Sequence, residues 1–187
     1  RGALTSYATL RGMACAGHCT TADAILGGMA SPARQDPPAR IDPRLYAELR
    51  ALPPNQVGEV LGERVHVSPR PRTAHARSSG SLGGALTPPF DWGRGGPGGW
   101  IILTEPELHL APDVVVPDLA GWRRERLPRL PNAPALALAP DWVCEVISAS
   151  TERIDRTLKR DIYAREGVGH LWFIAPTSQT LEAFRLE

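Results

Sequence analysis

The feature that most limits the fold of this chain is a short apolar segment that is followed by a long helical pattern. Residues 142–147 read Trp-Val-Cys-Glu-Val-Ile, a nearly continuous apolar run of the kind found in strands buried on both faces. Residues 150–167 carry the clearest helical pattern of the chain, and residues 170–176 form another apolar run. A buried strand, a helix and a further strand in this order predict a sheet with a helix packed on it.

Two sets of residues recur at four-residue spacing along this predicted helix. The apolar set predicts the buried stripe and consists of Ile154, Leu158 and Ile162. The polar set lies on the adjoining face and consists of Asp155, Lys159 and Tyr163. We therefore expect Lys159 at the edge of the buried face with its charged end in a pocket. Substitution there should change stability by less than about 1 kcal/mol.

The remaining patterns predict short elements separated by turns rich in proline and glycine. They are a helix over residues 43–52, a hairpin over 57–69, a weaker helix over 75–90 and three strands over 100–106, 107–113 and 114–122. Together with the strand and helix near the carboxyl end, this order predicts a fold of the α/β or α+β class. Its expected architecture is a mixed β-sheet flanked by helices.

Residues 1–38 lack a sustained period and end in a proline-rich stretch. The sequence predicts them to be a disordered or non-native extension before a single domain over residues 39–187. There is no secretory signal and no apolar run near the roughly 20 residues that cross a bilayer. Three cysteines form no disulfide framework, which favours a cytoplasmic protein without a membrane partner. The net charge of +1 does not by itself indicate a nucleic-acid partner.

Two acidic residues occupy positions where burial makes them costly. Asp118 follows three valines and a proline, and Glu145 stands inside the apolar run. A buried carboxylate that lacks a partner costs several kcal/mol or becomes protonated. A divalent metal would compensate both, and Mg²⁺, or alternatively Mn²⁺, prefers such oxygen ligands. Each acid also has a structural reading, since Asp118 suits a turn and Glu145 could pair with an arginine.

The only lysine of the chain follows these two acids. The sequence has 21 basic residues, of which Lys159 alone is not arginine, so it suggests a position that a guanidinium cannot fill. A strand with Pro-Asp, a strand with Glu and then a lysine resembles the order in PD-(D/E)XK nucleases. The usual lysine position, two residues after Glu145, is held here by Ile147. Lys159 can take that role only if its helix packs across the strand end.

Four motifs carry a closer resemblance, to the Uma-type (Uma two) family of restriction-endonuclease-like proteins common in bacteria. They are Glu59-Val60-Leu61-Gly62, the stretch from Ser68 to His75, Val116-Pro117-Asp118, and the stretch from Glu145 to Thr151 followed by Asp155, Lys159 and Tyr163. The resemblance covers residues 41–187. Ala149 replaces the proline of the family pattern, and the chain ends at Glu187, where family members continue.

The resemblance implies a restriction-endonuclease-like core and an endonuclease that hydrolyses DNA through a metal-activated water. Asp118 and Glu145 would bind Mg²⁺, with the carbonyl of Val146 as a further ligand, and Lys159 would orient the water and stabilise charge on the phosphate. Glu59 and His75 would be adjuncts, although His75 also suits a structural hydrogen bond at a helix start. Two other readings stay open, a nucleic-acid-binding module with weak or lost catalysis and an unrelated structural domain. A homodimer also stays open.

Overall fold

The computed structural model describes residues 2–11, 41–69 and 72–187. Within these ranges the chain forms a six-stranded mixed sheet and a four-stranded antiparallel sheet, with three helices packed around them. This arrangement confirms the predicted mixed sheet flanked by helices. Among the described helices, none has the length and apolar character needed to cross a membrane.

The six-stranded sheet carries the core of the molecule. Its strands lie in the order β1 (Leu4–Arg11), β10 (Thr180–Leu186), β9 (His170–Ala175), β8 (Trp142–Val146), β7 (Leu119–Arg123) and β4 (Trp100–Thr104). Strands β8 and β9 are parallel, whereas the other neighbouring pairs are antiparallel. Along β8, Val143 packs into the core on one face, and Trp142 and Cys144 pack into the core on the other. This confirms that the strand is buried on both faces.

The four-stranded sheet contains the predicted hairpin. Its strands lie in the order β3 (Val65–Pro69), β2 (Gln56–Val60), β6 (Asp113–Val115) and β5 (Leu108–Leu110). The strand predicted over residues 114–122 is split, because β6 ends in this sheet and β7 begins in the larger one. Pro117 lies between them and has no N–H for a ladder hydrogen bond. The chain therefore crosses from one sheet to the other immediately before Asp118.

The three helices are α1 (Pro43–Arg50), α2 (Thr73–Leu86) and α3 (residues 152–165). A π-helical turn, Thr87–Asp91, continues α2, and a second one, Asp155–Lys159, lies inside α3. The weaker helix prediction over residues 75–90 is thus confirmed, and Gly167 follows α3 with a φ of 75°, which suits a glycine after a helix end.

The predicted buried stripe of α3 is confirmed at Ile162, which is 4% exposed, and at Ile154, which packs against the core, but it was wrong at Leu158. Leu158 is 38% exposed, whereas the polar set consisting of Asp155, Lys159 and Tyr163 is buried. The π-helical turn has i→i+5 hydrogen bonds, so the faces of the helix do not follow the regular 3.6-residue period through it. These polar side chains can face inward because each of them has a hydrogen-bond or ion-pair partner in the interior.

The expectation for residues 1–38 differs from the structure at Leu4–Arg11. These residues form β1, an edge strand whose seven register pairs run antiparallel along β10. The side chain of Leu4 is 3% exposed, and the guanidinium of Arg160 donates to the carbonyl of Leu4 at 2.7 Å. Its apolar residues, Leu4, Tyr7, Ala8 and Leu10, do not follow a regular two-residue alternation, so hydrophobic periodicity gave little indication of a strand. The remainder of the predicted extension lies outside the described residues.

We predict that Leu4→Ala lowers the free energy of unfolding by about 2 kcal/mol or more, because it removes a buried side chain from the core. The matched control is Thr9→Ala on an exposed position of the same strand, which should change it by less than about 0.5 kcal/mol. Urea unfolding of both variants measures the difference. Equal midpoints for the two would mean that β1 does not contribute to the folded core.

Candidate active site

Two acidic residues meet where β7 and β8 lie side by side. The antiparallel register pairs Leu119 with Cys144, so Asp118 lies one step further along, across from Glu145. Cross-strand neighbours of this kind have Cβ atoms about 5 Å apart. The strand pairing therefore brings together the two carboxylates that the sequence predicted as metal ligands.

Asp118 is fixed at the start of β7 by contacts on both of its oxygens. Its Oδ2 accepts a hydrogen bond from the backbone N–H of Val146 at 2.7 Å, and its Oδ1 lies 3.3 Å from Nε2 of His75. The hydrogen bond with Asp118 raises the pKa of His75 above its ordinary value, against the opposing effect of burial. His75 belongs to the first turn of α2, so this contact ties the helix start to the strand.

Glu145 is almost completely buried, at 2% exposure. Its Oε1 accepts a hydrogen bond from the hydroxyl of Tyr163 at 2.5 Å and lies 2.8 Å from Nζ of Lys159. Burial raises the pKa of Glu145 well above its ordinary value, although the charge of Lys159 acts in the opposite direction. The pKa of Tyr163 is also raised, by burial first and then by the negative charge of Glu145, so its hydroxyl remains a donor.

Lys159 reaches back from α3 into the space between the two sheets. Its Nζ lies 2.8 Å from Glu145, 3.1 Å from Glu59 and 3.7 Å from Asp155. It also donates to the carbonyl of Val116 at 3.4 Å. Burial disfavours the charged form of this lysine, but the carboxylates of Glu145 and Glu59 outweigh that effect and hold its pKa well above the ordinary value. The geometric condition for a lysine supplied by the helix is therefore met.

Glu59 brings the smaller sheet into the site. It lies in β2, and its Oε1 accepts a hydrogen bond from the backbone N–H of Val116 at 2.7 Å as well as the contact from Lys159. Both partners belong to other parts of the fold, namely the crossing segment before Asp118 and helix α3. Glu59 thus holds the two sheets and the helix in one arrangement.

A cavity of about 600 Å³ opens over these groups. The acidic and basic side chains that line it include all of the predicted side-chain candidates: Glu59, His75, Asp118, Glu145 and Lys159. The lining does not include Val146, whose side chain packs in the core at 1% exposure. Val146 contributes its backbone N–H to Asp118, and its carbonyl remains a predicted ligand.

Sequence reasoning left Asp155 and Tyr163 outside the site. Asp155 lines the cavity next to Lys159, and Tyr163 reaches the same Glu145 oxygen as Lys159. Burial raises the pKa of Asp155 above its ordinary value, although the charge of Lys159 acts in the opposite direction. The spacing of four residues to either side of Lys159 was a sequence signal for both, because residues at that spacing share a helix face.

The donor chemistry of the cavity fits a hard divalent cation. Five carboxyl groups line it against the cationic side chains of Lys159 and Arg72: those of Glu59, Glu105, Asp118, Glu145 and Asp155. Within the described ranges, no three His, Cys, Asp or Glu side chains are gathered as a ready-made metal cage. Mg²⁺ does not need one, because it keeps several waters and binds through one or two carboxylates together with substrate phosphate.

Comparisons with known proteins bear on the family and on the fold. A family model described as "Uma2: Putative restriction endonuclease" matches residues 43–187. The fold also resembles the crystal structure of a protein from Anabaena variabilis ATCC 29413 that is described as a putative nuclease. The two share 21% identity with a TM-score of 0.65, over 76% of this chain and 82% of the other. No curated protein matches the chain at a significant level.

The structure changes the expectation for the stability of Lys159 variants. The side chain is 3% exposed, so its charged end is paired with buried carboxylates at the base of the cavity instead of being open to solvent. We predict that Lys159→Met lowers the free energy of unfolding by about 3–5 kcal/mol, because it leaves buried negative charge without a partner. The exposed Arg153 on the same helix offers a matched control, Arg153→Met, which should cost less than about 0.5 kcal/mol.

Urea unfolding at neutral pH checks this prediction. Adding Glu145→Gln to Lys159→Met should recover part of the loss, because it removes one of the unpaired charges. A Lys159→Met protein as stable as the Arg153→Met control would show that the buried ion pairs contribute nothing to the fold.

Proposed function

We propose that this chain, which belongs to the Uma2 family, is a magnesium-dependent nuclease that hydrolyses phosphodiester bonds of DNA. The observation that carries the proposal is the meeting of Asp118, Glu145 and Lys159 in one cavity, with Nζ of Lys159 2.8 Å from Glu145. Acidic and basic groups in this order and proximity suit the hydrolysis of a phosphodiester by a metal-activated water.

Asp118 and Glu145 would hold the metal, and the carbonyl of Val146 would add a ligand. A bound Mg²⁺, or Mn²⁺ in its place, would polarise the phosphate and lower the pKa of a bound water. The contacts already present hold Oε1 of Glu145 and both oxygens of Asp118, Oδ2 through the N–H of Val146 and Oδ1 beside Nε2 of His75. Both carboxylates are thus fixed in orientation before any ligand binds, which lowers the cost of binding.

Lys159 would stabilise the negative charge that develops on the phosphate. An ammonium has three N–H donors that point in different directions, and Glu59, Glu145 and the carbonyl of Val116 surround this one. Glu59 therefore holds Lys159 at the base of the cavity. His75, whose Nε2 contacts Oδ1 of Asp118, would steady that carboxylate.

The charge of the cavity supports a metal requirement. Five carboxyl groups against Lys159 and Arg72 leave an excess of negative charge, and a phosphodiester carries a negative charge of its own. Without a cation between them the substrate and the cavity repel each other. Arg72 at the exposed border of the cavity could contact a neighbouring phosphate of the bound strand.

We predict that purified protein cleaves supercoiled plasmid DNA with Mg²⁺ or Mn²⁺ and not with a chelator. Asp118→Asn and Glu145→Gln should each reduce the cleavage rate by about two orders of magnitude or more, because each removes a charged metal ligand. The control is Glu125→Gln, an acid on the exposed surface, which should retain full activity. Binding of DNA without cleavage under any of these metals would instead indicate the alternative, a nucleic-acid-binding module on the same fold.

We predict that Lys159→Arg cleaves DNA about two orders of magnitude more slowly than the unaltered protein. The buried ammonium is surrounded by oxygens of three residues within 3.4 Å, and a planar guanidinium is wider and cannot direct its donors in the same way. Arg153→Lys on the exposed side of α3 should be silent. Rates are compared at saturating Mg²⁺ on the plasmid substrate, and full activity of Lys159→Arg would refute the catalytic assignment.

A further inference from the structure

Tyr163 is a buried polar residue to which the proposed chemistry gives no role. Its side chain is fully buried and packs among the apolar residues between α3 and the larger sheet. A phenylalanine would fill that space without burying a hydroxyl, which costs free energy unless it is hydrogen-bonded. The hydroxyl donates at 2.5 Å to Oε1 of Glu145, so its single partner among the described contacts is a carboxylate at the edge of the cavity.

The same carboxylate oxygen receives a second donor from the same helix. Nζ of Lys159 lies 2.8 Å from Oε1 of Glu145, and Lys159 and Tyr163 are four residues apart on α3. Two donors converging on Oε1 restrict rotation of the carboxyl group about its bond to the side chain. The second oxygen, Oε2, is then held in one direction. The packed helix, rather than the metal, thus sets the orientation of this ligand.

We propose that Tyr163 is a positioning residue that fixes the Glu145 carboxylate for divalent-metal binding. This inference rests on the proposed function, because it assumes that Glu145 is a metal ligand. Residues that hold metal ligands in place through a hydrogen bond commonly contribute a factor of about 10–100 to metal affinity or activity. Among the described residues, the hydroxyl of Tyr163 and Nζ of Lys159 both contact Oε1 of Glu145, and the proposed chemistry already gives Lys159 another role.

The test compares Tyr163→Phe with two matched variants. Tyr46→Phe removes the hydroxyl of a partly buried tyrosine, which donates to Glu107 at 3.2 Å and does not line the cavity. Ile162→Val removes a methylene from the core beside Tyr163 without touching a hydroxyl. Mn²⁺ affinity of each protein is measured by calorimetry without DNA, and thermal unfolding is measured in parallel.

Tyr163→Phe should bind Mn²⁺ about 10–100-fold more weakly than the unaltered protein. Both control variants should bind it unchanged, even where Ile162→Val lowers the melting temperature. In cleavage assays Tyr163→Phe should need correspondingly more metal for half-maximal rate, while the KM for DNA at saturating metal stays the same. A structural tyrosine would lower stability and leave the metal affinity unaltered.

The possible failures are distinguishable from one another. If the unaltered protein binds no divalent metal, the proposed function fails and this inference fails with it. If the unaltered protein binds Mn²⁺ and Tyr163→Phe binds it equally well, only the role of Tyr163 is overturned. A Tyr163→Phe protein that does not fold, or a loss of affinity that Ile162→Val shares, would mark Tyr163 as a packing residue and overturn the inference as well.

Discussion

The buried ammonium of Lys159 is the interaction on which the rest of this structure depends. Its partners come from Glu145 in the larger sheet, Glu59 in the smaller sheet and the carbonyl of Val116 between them. The lysine therefore joins two sheets and a helix through one charged group. Burying that charge is costly, and the surrounding carboxylates offset the cost by holding it in the charged form. The same carboxylates line the cavity, so the ion pairs that join the fold also form the candidate site.

Much of the fold could be predicted from the sequence because its elements have local signals. The apolar run of β8 and the turn-bounded hairpin of β2 and β3 depend on neighbouring residues, and the structure confirms both. The division of residues 114–122 between two sheets was missed, although Pro117 marks the point where the chain leaves one ladder for the other. Strand β1 was missed because an edge strand with one fully buried side chain has almost no hydrophobic periodicity.

The site could be predicted only in part, because local sequence signals do not show which buried polar groups meet in the fold. Asp118, Glu145 and Lys159 stand out because their residue types are unusual for their surroundings in the sequence. The apolar period of α3 pointed to Leu158 as a buried residue, whereas the polar face turned inward. Hydrophobic periodicity assumes that burial follows apolarity, and that assumption fails where buried polar groups find partners from distant parts of the chain. Tyr163 and Asp155 find theirs in Glu145 and Lys159, and which groups meet is decided by the packing of α3.

The fold uses the carboxylates as partners for the buried lysine, whereas the proposed metal site uses carboxylates as ligands. The hydrogen-bond pattern allows both. Oε1 of Glu145, Oε1 of Glu59 and Oδ2 of Asp118 each accept donors from the protein. Those contacts fix the three side chains through Oε1 of each glutamate and Oδ2 of Asp118, whose Oδ1 also lies 3.3 Å from Nε2 of His75. Because a carboxylate has two oxygens that can accept on several sides, anchoring one does not consume the capacity of the other. A site built in this way stays folded through its own ion pairs and still presents negative charge to a cation, so stability and metal binding need not compete for the same atoms.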